Sequence, residues 1–294
     1  MTTVELLLQA LLRAEAAGTL ALALIIILRA PVRRLIGPEL AYRLWAVAPV
    51  AAVTAVFPSM ADSLPGAAGP SGGAFAAPAD ASLMLAVWLA GAIAMAALTA
   101  LSELHFRRLA RGGRAGPAVM GALWPRMVTP HDYAQRFTAA ERELIRHHER
   151  THIARGDPGT NLFLAVMVVL NWFNPLVHLA AICVRLDQEL ACDAAVIEAL
   201  PKSRRLYGET LLKAHVAGPR SPLACAWFAP SRHPLETRLA MLTRPSVTLA
   251  RYLRDAALVG LLAVVAALSV WTAGPRWEDA GRFQGAEASS LARP

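Results

Sequence analysis

The sequence is poor in charge. Asp, Glu, Lys and Arg make up 17% of its 294 residues, against about 25% in ordinary soluble domains. Lysine is almost missing, with Lys202 and Lys213 the only two, so nearly all of the 29 cationic residues are arginine. Cysteine is scarce as well: Cys183, Cys192 and Cys225 are too few and too irregular for a disulfide framework or a cysteine-rich zinc module. This composition excludes disordered, collagen-like and coiled-coil chains. What the sequence has instead is apolar surface, 56% hydrophobic residues and a mean hydropathy of +0.43. Its formal charge of +8 would suit a nucleic-acid binder, but the arginines cluster beside apolar runs and nothing resembles a nucleic-acid module.

About 20 apolar residues are needed to cross the hydrocarbon of a bilayer as a helix. Runs of that kind predict a four-helix membrane bundle in a mainly α protein, with spans at about 6–28, 40–57, 81–101 and 256–273. Arg13 and Glu15 in the first run are expected to face the bundle, since lipid tolerates such groups poorly. The first run is not read as a cleaved signal, because Glu5 stands where a basic n-region belongs and Arg29, Arg33 and Arg34 come only afterwards. Segment 58–80 has no Lys or Arg and reads as an outer loop, while Arg107, Arg108, Arg111 and Arg114 follow the third span. The positive-inside rule then puts the N-terminus outside, residues 102–255 in the cytoplasm and the tail 274–294 outside.

The cytoplasmic segment carries the chemistry. His148-Glu149-Arg150-Thr151-His152 is an H-E-x-x-H, in which histidines at i and i+4 share one helix face, both imidazoles reach one zinc ion, and Glu149 is placed to take a proton from the attacking water. Thr138-Ala139-Ala140-Glu141 reads as a capping box that starts this helix, and Gly156 and Pro158 as its stop. A hydrolytic zinc wants a third protein ligand. Glu189 is the best supplier, on a helix with Asn174 at its N-cap, Pro175 in its first turn and an end near Leu200. Asp193, one turn further, is expected to accept a hydrogen bond from the second ring nitrogen of a ligand histidine. His178 is a candidate transition-state donor, with a packed histidine as the competing reading. Cys192 is read as core, its thiol pKa raised by acidic neighbours, and His147 as surface. Residues 161–173, apolar between Asn161 and Asn171, are too short to span and predict a helix buried in the protein or lying partly in the bilayer, which would hold the zinc site at the membrane surface.

Phe137-Thr138-Ala139-Ala140-Glu141-Arg142, the run His148 to Asp157, Asn171-Trp172-Phe173-Asn174-Pro175-Leu176-Val177, Glu189-Leu190-Ala191-Cys192-Asp193 and the segment His233 to Leu242 together resemble the membrane zinc metallopeptidases of the BlaR/MecR type. The resemblance implies a cytoplasmic gluzincin-like peptidase domain between spans three and four of a bacterial cytoplasmic-membrane protein. It also implies one catalytic Zn2+ held by His148, His152 and Glu189, with Glu149 as general base and then acid and Asp193 in support. In that family the peptidase transmits an external signal by cleaving itself and inactivating a cytoplasmic transcriptional repressor. Such a repressor and the lipid bilayer are therefore the expected partners. No serine is followed three residues later by lysine, as a β-lactam acylation site would require, and only 274–294 is expected outside beyond the last span, so a short form without the sensor domain is expected. Self-cleavage would fall in the Gly218–Pro234 loop. Two other readings stand beside the enzyme: a signalling or scaffold protein that keeps zinc for structure, and a metal transporter, which would want ionisable residues deep in several spans.

Overall fold

The computed structural model describes residues 3–56, 81–215, 234–243 and ten positions between Leu253 and Leu268. The expected outer loop 58–80, the tail 274–294 and all but the last residue of the Gly218–Pro234 loop lie outside them. So does much of the fourth span at 256–273, whose described positions are helical. The protein is mainly helical. α1 (Thr3–Leu35) and α4 (Ala81–Arg111) contain the stretches Ala10–Leu35 and Ser82–Arg111, both long and apolar enough to cross a membrane. Their apolar side chains are left uncovered in stripes: Leu20, Leu24 and Ile27 on α1 and Met84, Val87 and Ile93 on α4 are each between 48% and 73% exposed, as lipid-facing residues would be.

The run 40–57 is not one continuous helix. It folds as α2 (Pro38–Arg43), a 3₁₀ turn (Leu44–Ala46) and α3 (Val47–Thr54). Pro49 explains the break, because its ring would meet the carbonyl of Trp45 in a continuous α-helix, whereas it is tolerated in the first turn of a new one. Arg13 and Glu15 are half-buried, and Thr19 donates to Glu15 at 3.2 Å.

The chain divides into two compact units, one made of residues 1–27, 44–88 and 253–294, the other of residues 28–43 and 89–252. The second contains the H-E-x-x-H. After α4 it forms a short antiparallel hairpin, β1 (Ala118–Met120) with β2 (Arg126–Val128), in the register Val119 opposite Met127. Strands of three residues are too short for alternation to be read from sequence. Then come α5 (Tyr133–Arg136), α6 (Ala139–Arg155), α7 (Asp157–Leu170), α8 (Pro175–Ala199), α9 (Arg204–His215) and α10 (Pro234–Leu242).

α6 starts and stops where local chemistry dictates. Thr138 accepts from the Glu141 N–H while the Glu141 carboxylate accepts from the Thr138 N–H at 2.7 Å, a complete capping box, and Lys213 pairs with the same carboxylate at 2.9 Å. Gly156 ends the helix in the left-handed region at φ 74°, which glycine adopts without steric penalty. α8 begins at Asn174, whose side chain accepts from the Leu176 N–H at 2.9 Å, and runs 25 residues. It is the central strut, packing against α2, α6, α7 and α10. Leu144 of α6, Cys192, Val196 and Ile197 of α8, Tyr207 of α9 and Leu242 of α10 form one buried cluster. Each large apolar side chain there contributes about 1.5–3 kcal/mol, which locks α6 against α8.

Candidate metal centre

α6 and α8 bring their polar residues together at this contact. The Nε2 atoms of His148 and His152 lie 3.0 Å apart, and each is 3.5 Å from an oxygen of Glu189. The other ring nitrogens decide what these atoms are. His152 Nδ1 is 2.6 Å from Asp157 Oδ2; an ionised carboxylate only accepts, so Nδ1 carries the proton and Nε2 a lone pair. Tyr207 donates its hydroxyl proton to Asp193 at 2.6 Å, so its oxygen accepts from His148 Nδ1 at 2.7 Å, and His148 Nε2 is likewise a lone pair. Two lone pairs and a carboxylate oxygen converging within 3.5 Å repel one another unless a cation sits between them. Tetrahedral zinc with bonds of 2.0–2.1 Å separates its ligands by about 3.3 Å, so this donor set fits zinc.

Cys192 is also at hand. It, His148 and His152 each offer a ligating atom within 4.8 Å of the others, a His-His-Cys group able to hold a metal. Its sulfur, however, lies 3.4 Å from Nδ1 of His148, the protonated edge of the ring, and its thiol donates to the His148 carbonyl at 3.4 Å. Glu189 faces both lone pairs, with an oxygen 3.5 Å from each. The sequence expectation for Cys192 holds for its burial and fails for its thiol. Burial would raise the pKa, but the adjacent His148 and His152 outweigh it and lower it; the sulfur meets the imidazoles of α6 rather than the carboxylates of its own helix.

The electrostatics suit a cation site. Burial would raise the Glu189 pKa, yet Arg238 and the two histidines hold it well below the usual carboxylate value, so it stays anionic. Burial works against charging the histidines, but Glu189 and Asp157 push His152 up to about 12, and Cys192 and Glu189 push His148 to about 10, so without a metal each ring draws a second proton at neutral pH, and the Nε2 lone pairs are freed only when a cation takes the place of those protons. Glu149 is 7% exposed, and burial raises its carboxyl pKa against the pull of His148 and His152, toward the neutral range in which a proton-transfer group works best.

Asp193 does not bond a histidine directly as expected. It stands 3.6 Å from His148 Nδ1, with the Tyr207 hydroxyl bonded to both, because the tyrosine fills the space between α8 and α6. Burial and Asp193 push the Tyr207 phenol well above its ordinary pKa, which keeps it a donor. Arg238 of α10 pairs with two carboxylates of α8, with Nε and Nη2 on Asp193 at 2.8 and 2.7 Å and Nη1 on Glu189 at 2.9 Å. His178 does not join the group. Its Nε2 donates to the Trp172 carbonyl at 2.9 Å, and eleven residues of helix put it about 16 Å along α8 from Glu189.

Sequence reasoning missed Asp157, Tyr207, Arg238 and Tyr42. Tyr42 donates to Asp157 Oδ1 at 3.0 Å and accepts from Gln188 Nε2 at 3.1 Å, joining α2 to the carboxylate that orients His152. Asp157 carried a faint signal, an acid just past the glycine that ends the H-E-x-x-H helix. Arg238 is the one cation of α10. Tyr207 and Tyr42 carried none, since His148 and Asp157, which they bond, are 59 and 115 residues away.

Residues 110–242 match the family model described as BlaR1 peptidase M56. This segment is similar to the BlaR/MecR-type M56 peptidases. The regulatory protein BlaR1 of Bacillus licheniformis is 36% identical over 98 residues, which is 33% of this chain and 16% of that protein. The methicillin resistance mecR1 proteins of Staphylococcus aureus and Staphylococcus epidermidis are 29% identical over 101 residues, 34% of this chain and 17% of theirs. The match thus spans less than a fifth of the length of these curated relatives. No solved structure matches significantly. M56 peptidases are metallopeptidases, and the His148, His152 and Cys192 group of this M56 domain is one that can bind a metal.

Proposed function

We propose that the protein is an integral-membrane zinc endopeptidase in which His148, His152 and Glu189 hold one catalytic Zn2+ and Glu149 is the general base and acid. The convergence of two imidazole lone pairs and the Glu189 carboxylate beside buried Glu149 carries this reading. When bound, zinc supplies a Lewis acid for a peptide carbonyl and lowers the pKa of water. Asp157 and Tyr207 fix the Nδ1–H tautomers of the two ligand histidines, and Arg238 keeps Glu189 ionised and pairs with Asp193. Glu149 accepts the proton of the attacking water and delivers it to the leaving amine, for which its raised pKa suits it. A structural zinc site would have no use for a buried base in that position, which favours the enzyme over the scaffold reading.

The domain scheme of the sequence, with peptidase residues 102–255 in the cytoplasm and the N-terminus outside, belongs to this proposal. So does a regulatory role: self-cleavage, cleavage of a cytoplasmic transcriptional repressor, or both, as the resemblance implies. Glu149→Gln is expected to keep zinc and lose cleavage, while His152→Ala loses both. Zinc content of the purified variants and comparison of cellular peptides between wild type and Glu149→Gln test this, and retained proteolysis in Glu149→Gln would sink it.

A further inference from the structure

α6 and α7 meet at 61° and together satisfy the length and apolarity of a broken span. α6 cannot be its membrane half, for it carries Glu141, Arg142, Glu143, Arg146, Glu149, Arg150 and Arg155. α7 can. Beyond its first turn it has no charged residue, and Leu162, Phe163, Val166 and Leu170, with Phe173 in the elbow to α8, are 37–49% exposed. A face of that kind needs a partner.

The elbow identifies it. Trp172 packs on Gly91 of α4, so closely that a Cβ there would collide with the indole. Gly91 is in the middle of the charge-free part of a membrane-spanning stretch. The first charged residues after it, Glu103 and Arg107, pair at 2.8 Å and come 12 and 16 residues later, about 18 and 24 Å along the helix. Half the hydrocarbon thickness is about 15 Å, so Trp172 sits near the depth of the bilayer midplane. α7, with 14 residues, is about 21 Å long, enough to descend to that depth from headgroup level. The elbow's polar groups are satisfied within the chain, as hydrocarbon demands: Asn171 donates to the Met167 carbonyl, Asn174 accepts from the Leu176 N–H, and His178 donates to the Trp172 carbonyl, at 2.8, 2.9 and 2.9 Å.

We infer that α7, the elbow and the start of α8 form a re-entrant hairpin dipping into the lipid bilayer beside α4, its uncovered α7 face in contact with acyl chains. Asp157 at the top of α7 is bonded to His152, so the hairpin fixes the candidate metal centre at headgroup level and delivers polypeptide to it at the membrane surface.

Nitroxide scanning of the full chain in phosphatidylcholine–phosphatidylglycerol liposomes tests this. Cysteine is introduced at Phe163, Val166, Leu170 or Phe173 in a Cys225→Ser background, since Cys183 and Cys192 are buried. Labels at Val166, Leu170 and Phe173 are expected to collide severalfold more with oxygen than with a water-soluble nickel chelate. The ratio should rise from Phe163 to Phe173 and match a label at Ile93 of α4, while a label at exposed Arg150 on α6 shows the reverse. Nickel-accessible labels at Val166 and Leu170 would mean a watery face, and labels shielded from both reagents a face covered by protein or a second copy; either overturns the inference. All the labelled α7 positions are exposed, so the label displaces no core residue, and Phe163 reports if one of the others fails to fold. The outcome does not depend on whether the metal centre is active.

Discussion

Asp157→Asn should weaken zinc binding about 10- to 100-fold, the usual consequence of losing a hydrogen-bonded carboxylate behind a ligand histidine. The structure sets where in that range it falls. His152 Nδ1 donates to Asp157 Oδ2 at 2.6 Å in a site where the aspartate is 1% exposed, so the bond is charge-assisted and unscreened. An asparagine oxygen can still accept this proton, but without the charge that makes the imidazole more basic. Its NH2 group must then face Tyr42, which donates to Asp157 Oδ1 at 3.0 Å, setting donor against donor. Loss of charge and the clash of donors act together, and the expected loss is near the upper limit, about 2.7 kcal/mol at about 1.4 kcal/mol per factor of ten. Tyr42→Phe removes the second donor. It should cost less alone and restore part of the loss in Asp157→Asn, giving a coupling of at least about 0.5 kcal/mol in the double-mutant cycle. Competition with a chromophoric chelator on detergent-solubilised protein reads all four affinities. Asp157→Asn within twofold of wild type would refute the claim that this carboxylate orients His152, and strict additivity would refute the link through Tyr42.

Three further outcomes follow from buried polar groups and backbone geometry. Asp187 is fully buried between Arg29 and Arg33, at 2.8 and 3.0 Å, so Asp187→Ala should destabilise by about 3–5 kcal/mol by leaving buried cations unpaired, whereas replacing all three with Leu and Met should recover much of it; thermal unfolding in detergent measures both. Burial would raise the Glu141 pKa, but the Thr138 N–H and Lys213 lower it below the ordinary 4.5. The stabilisation from its ionised form is therefore full above pH 4.5 and lost as the pH falls through the folded value: the deficit of Glu141→Gln, about 1 kcal/mol at pH 7, should vanish in unfolding measured toward pH 3. Gly156→Ala should cost about 1–2 kcal/mol from the left-handed backbone alone, since no atom lies within 4 Å of the added Cβ, and a denaturant titration showing no change would contradict that.

Legibility in the sequence followed the range of each interaction. The capping box of Thr138 and Glu141, the glycine stop at 156 and the Asn174 cap act over two to four residues, and all three appear where the sequence predicts them. The pairing of His148 with His152 follows from helical period, and Glu189 could be placed because a carboxylate on an apolar helix face calls for a counter-charge. The break in 40–57 was legible in Pro49 but hidden by hydropathy, which averages over the residues that set backbone geometry. Asp193 was given the right neighbourhood and the wrong contact, because only tertiary packing inserts Tyr207 between it and His148.

The arginines of the first loop show how one residue type answers two demands. Read by composition, Arg29 and Arg33 mark the cytoplasmic side, yet both bind Asp187, two residues before Glu189 on α8. α2, which follows them, supplies Tyr42 to Asp157 and Glu39 to Arg155 at the end of α6. The end of the first membrane helix and the segment after it thus grip α8 on one side of Glu189 and, through Asp157, orient His152 on the other. A shift of α1 relative to α8 would have to break a buried ion pair before the ligand set deformed, and a shift of α2 would reach His152 through a single carboxylate. Those two linkages differ in strength, since the buried triad resists separation far more than one Tyr–Asp hydrogen bond. α2 is itself held to α8, by packing and by the Gln188–Tyr42 hydrogen bond, so a displacement of α2 would act on the helix that carries Glu189 and on the Asp157 carboxylate together.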